Sequence, residues 1–356
     1  MSDRYPWTPL HAKIHRTIRS RDLFERHQRL LVAVSGGQDS LCLIKLLLDL
    51  QPKWGWHLGI GHCDHRWRPD SQANANHVKN LAKTWEISFY LETANESINS
   101  EAAARNWRYQ TLSAIAREHN YQYIVTGHTA SDRAETLLYN LIRGTGADGL
   151  QALTWQRPLI DNILLVRPLL EITRTQTAQF CQDFQLPIWE DSTNEDLKYA
   201  RNRIRQEIIP YLQENFNPQV ESALAQTAEL LQAEVEYLEQ AAQQLRSEAM
   251  RGEGERGSGG VGNVSTELLL SPPLPFPPSP PPLQLRLNRR VLQKAPIALQ
   301  RRVMRQVLQE ILPCAPSFEQ IEKLTALITA PKRSQTDPFP GGAIARVEGE
   351  WIEVRS

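Results

Sequence analysis

The chain has 356 residues, 41% of them hydrophobic, and its 40 basic side chains balance its 40 acidic ones. This length predicts two or more domains, and the apolar fraction is large enough for a buried core. A formal net charge of zero excludes a global electrostatic attraction to nucleic acid or to a membrane, so any such attraction must come from local patches.

The four cysteines lie far apart and form no C-x-x-C pair, which argues against a zinc ribbon and against a redox dithiol. Dispersed cysteines of this kind predict reduced thiols and a cytoplasmic location. The N-terminal segment lacks the apolar core of a secretory signal, and the run LCLIKLLLDL is too short and too charged to cross a bilayer. We therefore expect no membrane partner.

Strand and helix patterns alternate through the N-terminal part of the chain. An amphipathic helix is predicted over 11–29. It is followed in order by RLLVAV, LCLIKLLLDL, HLGIGHCD, SQANANHVKNLAKTWE, ISFYLET, EAAARNWRYQTLSAIAREH, YQYIVTGH, SDRAETLLYNLIRG and a fifth strand in ILLVRPLL. The alternation predicts an α/β domain over residues 1–212, with a mostly parallel sheet and helices on both faces.

The composition changes after Leu212. Residues 213–251 predict a long helical connector, and residues 252–282 form a Gly- and Pro-rich low-complexity linker. The alternative interpretation of the proline run is a ligand for a proline-binding domain. Residues 283–356 predict a small α+β domain that ends in a β-hairpin around Gly349.

The segment VAVSGGQDS joins the first predicted strand to a helix that we expect to begin near Asp39 or Ser40. Glycines let the backbone approach a ligand, and the first N–H groups of a helix attract an anion. The lysine of the Walker pattern is absent, so the loop predicts a pyrophosphate site rather than a site for γ-phosphoryl transfer. Asp39 then requires a bridging cation such as Mg²⁺ or a capping role. The alternative is an ordinary strand-to-helix turn.

Two polar clusters follow later strands. His62, with Asp64 and His65, ends the second strand, where these residues can bind a metal or form the turn. His128, Asp132 and Glu135 are spaced by four and three residues, which predicts one helix face at the carboxyl edge of the sheet. Such carboxylates can bind a metal ion or an amino-acid ammonium group, or they can form a solvated surface.

Several arginines are candidates for phosphate or carboxylate binding. Arg105, Arg108 and Arg143 fall within the α/β domain, and Arg201 and Arg205 share one side of the YARNRIR helix. Between Leu283 and Gln309 there are seven basic residues, including Arg289 and Arg290, and no acidic ones. This window predicts contact with an RNA backbone, or else a solvated charged face.

The motifs, taken together, resemble those of a known family. SGGQDS resembles the signature of the PP-loop, or N-type ATP pyrophosphatase, superfamily. HCDHRWRPDS, EAAARNWRY, TGHTASDRAET and YARNRIRQEIIP resemble motifs of the tRNA(Ile)-lysidine synthase family, in that family's order across residues 30–212. The resemblance implies an adenine nucleotide alpha hydrolase-like fold. It also implies an AMP-forming carbon–nitrogen ligase that uses ATP and Mg²⁺.

The implied reaction joins L-lysine to C2 of the wobble cytidine of the isoleucine tRNA with a CAU anticodon. It changes the codon read and the amino acid charged from Met to Ile. The alternatives are another tRNA-modifying or amidating PP-loop enzyme and a non-catalytic RNA-binding module. The oligomeric state stays open, a homodimer included.

The resemblance also implies roles for individual residues. The expected catalytic residues are Asp39, His128, Asp132, Glu135 and Arg201. The expected ATP-binding residues are Ser35, Gly36, Gly37, Gln38, Asp39, Ser40 and His62, with Asp39 also holding Mg²⁺. The expected tRNA or lysine contacts are Arg105, Arg108, Arg143, Arg205, Arg289 and Arg290.

Overall fold

The computed structural model describes residues 7–66, 69–95, 98, 100–160, 162–190, 197–251 and 284–355. The chain divides into two compact units, Met1–Ala233 and Glu234–Ser356. This division falls inside the predicted helical connector 213–251. The predicted Gly/Pro-rich linker 252–282 lies outside the described residues.

The first unit contains six strands: β1 (Arg29–Ala33), β2 (His57–Asp64), β3 (Ser88–Thr93), β4 (Tyr123–Thr126), β5 (Gln156–Ile160) and β6 (Ile163–Val166). Its helices are α1 (Pro9–Ser20), α2 (Gln38–Trp54), α3 (Ser71–Thr84), α4 (Glu101–Glu118), α5 (Ala130–Ile142), α6 (Ala147–Leu150), α7 (Arg174–Asp183), α8 (Ala200–Arg203) and α9 (Ile209–Asn215). A π-helical turn, Ile204–Ile208, joins α8 to α9, and α10 (Val220–Arg251) begins in this unit.

The six strands form one sheet in the order β3-β2-β1-β4-β6-β5. All neighbouring pairs are parallel except β5 and β6, which are antiparallel. The predicted mostly parallel α/β fold is therefore confirmed. The strand order reverses direction between β1 and β4, where Ala33 pairs with Thr126, so the loops after these two strands open side by side.

Both faces of the sheet are covered, because successive side chains of β1 enter different cores. Leu30 and Val32 pack in one cluster with the apolar side of α2, whereas Leu31 packs in another with Leu112 and Ile115 of α4. Two-sided burial explains why β1 is a continuous apolar run rather than an alternating one.

Two expected elements differ in the structure. The helix predicted over 11–29 is shorter, because α1 ends at Ser20 and Asp22 has a left-handed φ of 47°. The edge strand β5 was not predicted from the sequence, and the strand expected in ILLVRPLL ends at Val166.

The second unit has three strands, β7 (Gln284–Asn288), β8 (Ile344–Glu348) and β9 (Trp351–Arg355), in the antiparallel order β7-β9-β8. Its helices α11 (Arg289–Gln293), α12 (Ile297–Ile311) and α13 (Phe318–Ala326) pack their apolar sides against this sheet. The hairpin predicted around Gly349 is confirmed, since β8 pairs with β9 and Gly349 has a φ of 62°. No helix in the described ranges combines the length and apolar character needed to span a membrane.

Candidate active site

The loop between β1 and α2 is shaped by a glycine that no other residue can replace without strain. Gly36 has a φ of +89°, and a Cβ there would lie 2.4 Å from Oδ1 of Asn74. The Asn74 amide donates to the Ser35 carbonyl at 2.9 Å, and the Trp189 N–H donates to the Gly36 carbonyl at 2.9 Å. These contacts hold the loop from two sides.

Helix α2 begins at Gln38, one residue earlier than expected, with Gly37 as its N-cap and no side-chain cap. Asp39 is therefore within the first turn and does not cap the helix. Ser40 Oγ instead donates to the Gly37 carbonyl at 2.8 Å and accepts from the Ser35 N–H at 3.2 Å. An uncapped start of a long helix, open beside a glycine loop, is the geometry that binds phosphate groups.

The loop after β4 lies directly against this helix start. A Cβ on Gly127 would lie 2.9 Å from the backbone oxygen of Asp39, so only glycine permits this approach. Thr129 then caps α5 in a capping box, in which Asp132 Oδ2 accepts from the Thr129 N–H at 2.8 Å. His128 precedes the helix, so it does not share the helix face that its spacing predicted.

Arg174, the first residue of α7, brings the predicted acidic residues together. Its Nε donates to Asp39 Oδ2 at 3.2 Å, its Nη2 to Asp132 Oδ1 at 2.8 Å and its Nη1 to Glu135 Oε1 at 2.9 Å. Burial alone would lower the pKa of Arg174, but the carboxylates of Asp132, Asp39 and Glu135 raise it instead. Arg174 therefore carries a permanent positive charge among three acids.

Arg205 adds a second cation on the π-helical turn. Its Nε and Nη2 donate to the two oxygens of Glu135 at 2.7 and 3.0 Å. Glu135 is only 2% exposed, so its ionised form is matched by guanidinium groups rather than by water. π-Helical turns are rare and often occur at functional sites.

These groups border a cavity of about 340 Å³. Its lining includes seven of the predicted site residues from the first unit, namely Arg105, Arg108, His128, Asp132, Glu135, Arg201 and Arg205, together with Tyr199 and Asn202. The volume suits a small ligand such as an amino acid or one nucleoside. The cavity thus joins arginines, which attract phosphate, to carboxylates, which attract an amine.

Protonation inside the cavity follows from these surroundings. Burial lowers the pKa of His128 far below its ordinary value, so the imidazole is neutral at pH 7, and its Nδ1 lies 2.9 Å from Thr126 Oγ1. Burial would raise the pKa of Asp132, but Arg174, His128 and the Thr129 N–H together lower it. Asp132 therefore stays ionised, which suits it to bind a cation and makes it a weak proton acceptor.

Besides the other residues of the glycine loop, the predicted site residues His62, Gln38 and Arg143 lie outside the cavity lining. His62 is 3% exposed, and its Nδ1 lies 2.7 Å from the carbonyl oxygen of Val34 at the end of β1. The Gln38 amide donates to the Arg174 carbonyl at 2.6 Å and to Thr177 Oγ1 at 2.7 Å. Arg143 is exposed at the end of α5 with its guanidinium over the Tyr139 ring. The ATP and tRNA contacts expected of these residues stay predictions.

The fold brings acidic residues to the basic window of the second unit. Arg289 is 8% exposed, and its guanidinium donates to the carbonyls of Ile328 and Ala330, so it also has a structural role; its expected tRNA contact stays a prediction. Arg290 is exposed but forms a two-point ion pair with Glu350. Other arginines of the window pair with Glu353, Glu322 and Glu239.

Sequence reasoning missed Arg174, Thr177 and Trp189 at this site. Thr177 Oγ1 donates to Asp39 Oδ1, and Trp189 Nε1 donates to Asp70 Oδ2 at 3.0 Å. Trp189 stands in the WEDSTN motif, which could have directed attention to it, although residues 191–194 lie outside the described ranges. No sequence spacing pointed to Arg174, because its partners are far away in the chain.

The donor set fits a magnesium ion that is bound together with a nucleotide. Across the part of the chain that the structure describes, no group of three or more His, Cys, Asp or Glu side chains could hold a metal on its own. Mg²⁺ typically takes one or two carboxylates and completes its shell with phosphate oxygens and water. Asp39, at the first turn beside the glycine loop, is placed to be such a single carboxylate.

Comparison with known proteins agrees with this geometry. Residues 8–212 match the family model described as a PP-loop domain, and residues 287–351 match the one described as the TilS substrate binding domain. A solved structure of the U34-tRNA thiolase NcsA from Methanococcus maripaludis is 16% identical, with a TM-score of 0.54, and covers 62% of this chain and 77% of its own. That likeness concerns the fold alone.

The fold and the uncapped glycine loop define an ATP-using protein of the PP-loop class. The chain is 77% identical over 350 residues to a tRNA(Ile)-lysidine synthase from a Nostoc species, covering 98% of both chains. It is 48% identical to one from a Synechocystis species, covering 97% of both chains. The chain belongs to the tRNA(Ile)-lysidine synthase family.

Proposed function

We propose that this protein ligates L-lysine to C2 of the wobble cytidine of the isoleucine tRNA with a CAU anticodon, with ATP converted to AMP and pyrophosphate. The observation that carries the proposal is the charged network in which Arg174 bridges Asp39 at the nucleotide loop to Asp132 and Glu135 at the cavity. One site can thereby hold the nucleotide and an amine side by side.

The first step is adenylation of the tRNA. The pyrophosphate portion of ATP lies at the start of α2, where the backbone N–H groups of the loop and the hydroxyls of Ser35 and Ser40 donate to it. The C2 oxygen of the cytidine attacks the α-phosphorus, and the bond to the leaving pyrophosphate breaks. Mg²⁺ held by Asp39 would neutralise charge on the phosphates.

The cytidine must leave the base stack of the anticodon loop to reach the α-phosphate. Arg105, Arg108 and Arg201 line the cavity and are placed to hold phosphate oxygens of the splayed nucleotide. Arg143, exposed at the end of α5, is a further candidate for backbone contact. Removal of any one of these arginines is expected to weaken tRNA binding.

The second step is attack of the neutral lysine amine on C2; the C2–O bond to the adenylate breaks, AMP leaves, and the proton lost by the amine passes to water. Asp132 and Glu135 border the cavity beside Arg174 and Arg205, and we assign them to bind the ammonium group of lysine before it loses its proton. We assign these carboxylates to binding rather than to proton transfer, because the pKa of Asp132 is lowered. His128 offers a neutral imidazole within the same cavity.

Product analysis tests the proposal. Purified protein is incubated with ATP, MgCl₂, L-lysine and tRNA, and the nucleotides are separated by chromatography. We expect AMP and pyrophosphate only when both lysine and a CAU-anticodon isoleucine tRNA are present. Formation of ADP, or AMP formation that needs ammonia or a sulfur donor instead of lysine, would point to another PP-loop enzyme. Binding of tRNA without nucleotide cleavage would indicate a non-catalytic RNA-binding module.

A further inference from the structure

Arg174 hydrogen-bonds to three carboxylates that belong to two different parts of the site. Its guanidinium uses all three nitrogens, one for each of Asp39, Asp132 and Glu135. Asp39 belongs to the nucleotide loop, whereas Asp132 and Glu135 border the cavity. The side chain of Arg174 is 28% exposed, so most of it is buried among these carboxylates.

The backbone of Arg174 is tied to the same two elements. Its N–H donates to Ser131 Oγ in α5 at 3.1 Å, and its carbonyl accepts from Gln38 Nε2 in α2 at 2.6 Å. A residue held by both its backbone and its side chain loses little further conformational freedom when it fixes its partners.

We propose that Arg174 is a positioning residue that holds the nucleotide-loop carboxylate Asp39 in register with the amine-binding carboxylates Asp132 and Glu135. The inference rests on the function proposed above, because it assumes that the two ends bind ATP and lysine. In this role Arg174 acts through the three carboxylates that it holds. Loss of Arg174 therefore impairs both binding sites at once.

An arginine is required for geometric reasons. A guanidinium presents its N–H donors in a rigid planar fork, so it can bridge three carboxylates in fixed directions. A lysine ammonium carries the same charge but acts as a point on a flexible stem. Positioning and simple charge neutralisation thus make different predictions for Arg174→Lys.

The test compares Arg174→Met and Arg174→Lys with Thr177→Val. Thr177 Oγ1 donates to Asp39 Oδ1, so its loss acts directly on the carboxylate of the nucleotide loop. Two constants are measured: the dissociation constant of a non-hydrolysable ATP analogue with Mg²⁺, by calorimetry, and the KM for lysine in AMP release. Arg117→Ala, an exposed position on α4, serves as the control that should change neither constant.

We expect Arg174→Met to raise both constants by about tenfold, the effect of losing hydrogen bonds to charged groups. Arg174→Lys should raise both by at least about fivefold, because the fork is lost. Thr177→Val should raise the nucleotide constant while the KM for lysine stays within about twofold. If Arg174 only neutralised charge, its removal would strengthen ammonium binding and lower the KM for lysine.

Several results would overturn the inference. These are a change in only one constant for Arg174→Met, full recovery of both constants by Arg174→Lys, or a lower kcat with both constants unchanged. Thermal melts identify a variant that fails to fold, and Arg174→Lys then decides the question. A wild-type protein that binds the ATP analogue but shows no lysine-dependent AMP release would contradict the proposed function instead.

Discussion

The variant Asp39→Asn distinguishes the contribution of Asp39 to the stability of the fold from its contribution to AMP release. Burial raises the pKa of Asp39, and this outweighs the opposing effects of Arg174 and Thr177. An acid whose pKa is higher in the folded state binds its proton more tightly there than in the unfolded chain. Its ionisation therefore destabilises the fold as pH rises through the window between the two values, and the penalty is complete at neutral pH.

The magnitude follows from this balance. The amide oxygen of asparagine can accept from Arg174, its NH₂ group can donate to the rotatable hydroxyl of Thr177, and Arg174 keeps Asp132 and Glu135 as partners. We therefore expect Asp39→Asn to change the free energy of unfolding by no more than about 1 kcal/mol, with stabilisation the favoured direction. The rate of AMP release should fall by about 100-fold or more, because the charge that would hold Mg²⁺ beside the pyrophosphate is lost.

Urea unfolding at neutral pH and a chromatographic assay of AMP measure the two effects on one preparation. Asp22→Asn, at an exposed turn, is the matched control and should leave both unchanged. A large loss of stability in Asp39→Asn that parallels the loss of AMP release would mean that Asp39 is structural. Undiminished AMP release would mean that it has no catalytic role.

Four further predictions concern other parts of the chain. Glu229→Gln should lower stability by about 2 kcal/mol at pH 7, because Arg133, which is 1% exposed, donates to Glu229 at 2.5 Å. Burial would raise the pKa of Glu229, but hydrogen bonds from Arg133, Trp155 and Arg21 lower it. The stabilisation is therefore present above the ordinary pKa of Glu and is lost as pH falls through the lowered pKa. Urea titrations from pH 7 to pH 3 should show the free energies of unfolding of the wild type and of Glu229→Gln converging. Arg289→Ala should destabilise the second unit by about 1–3 kcal/mol without weakening tRNA binding by the folded protein. Arg105→Ala should instead weaken tRNA binding and reduce the salt dependence of binding by about one ion. A filter-binding series in salt that gives the opposite pattern would refute both assignments. Deletion of residues 252–282 should leave lysine incorporation nearly unchanged, and a loss of activity in a deletion protein with a normal melt would assign this segment a functional role.

The alternation of apolar runs and amphipathic helices was sufficient to predict the parallel sheet. Strands such as β1 are buried on both faces, so they stand out as short apolar runs bounded by glycine. The edge strand β5 was missed because its sequence QRPLI contains Pro158 and alternates weakly. Proline is tolerated at a sheet edge, where one side of the strand needs no partner, and this makes such strands hard to predict.

The candidate site was only partly predictable. The loop residues follow directly after β1, and the acidic pair Asp132 and Glu135 follows after β4. Each of these sequence motifs therefore lies where a strand ends, which made it predictable. Arg174 contacts Asp39 across 135 residues and Asp132 across 42, and no local pattern carries such pairs. The ion pairs of the basic window could not be predicted for the same reason, since the acids that pair with it come from other segments.

The central claim is that the charged network brings ATP, lysine and the wobble cytidine into one site. Radiolabelled L-lysine incubated with the protein, ATP, MgCl₂ and the CAU-anticodon isoleucine tRNA tests it most directly, with the tRNA then digested to nucleosides. We predict that the label is recovered on a single modified cytidine, that it requires ATP, and that Glu135→Gln greatly reduces it. Label that never enters the tRNA, or that enters equally well without ATP, would contradict the claim.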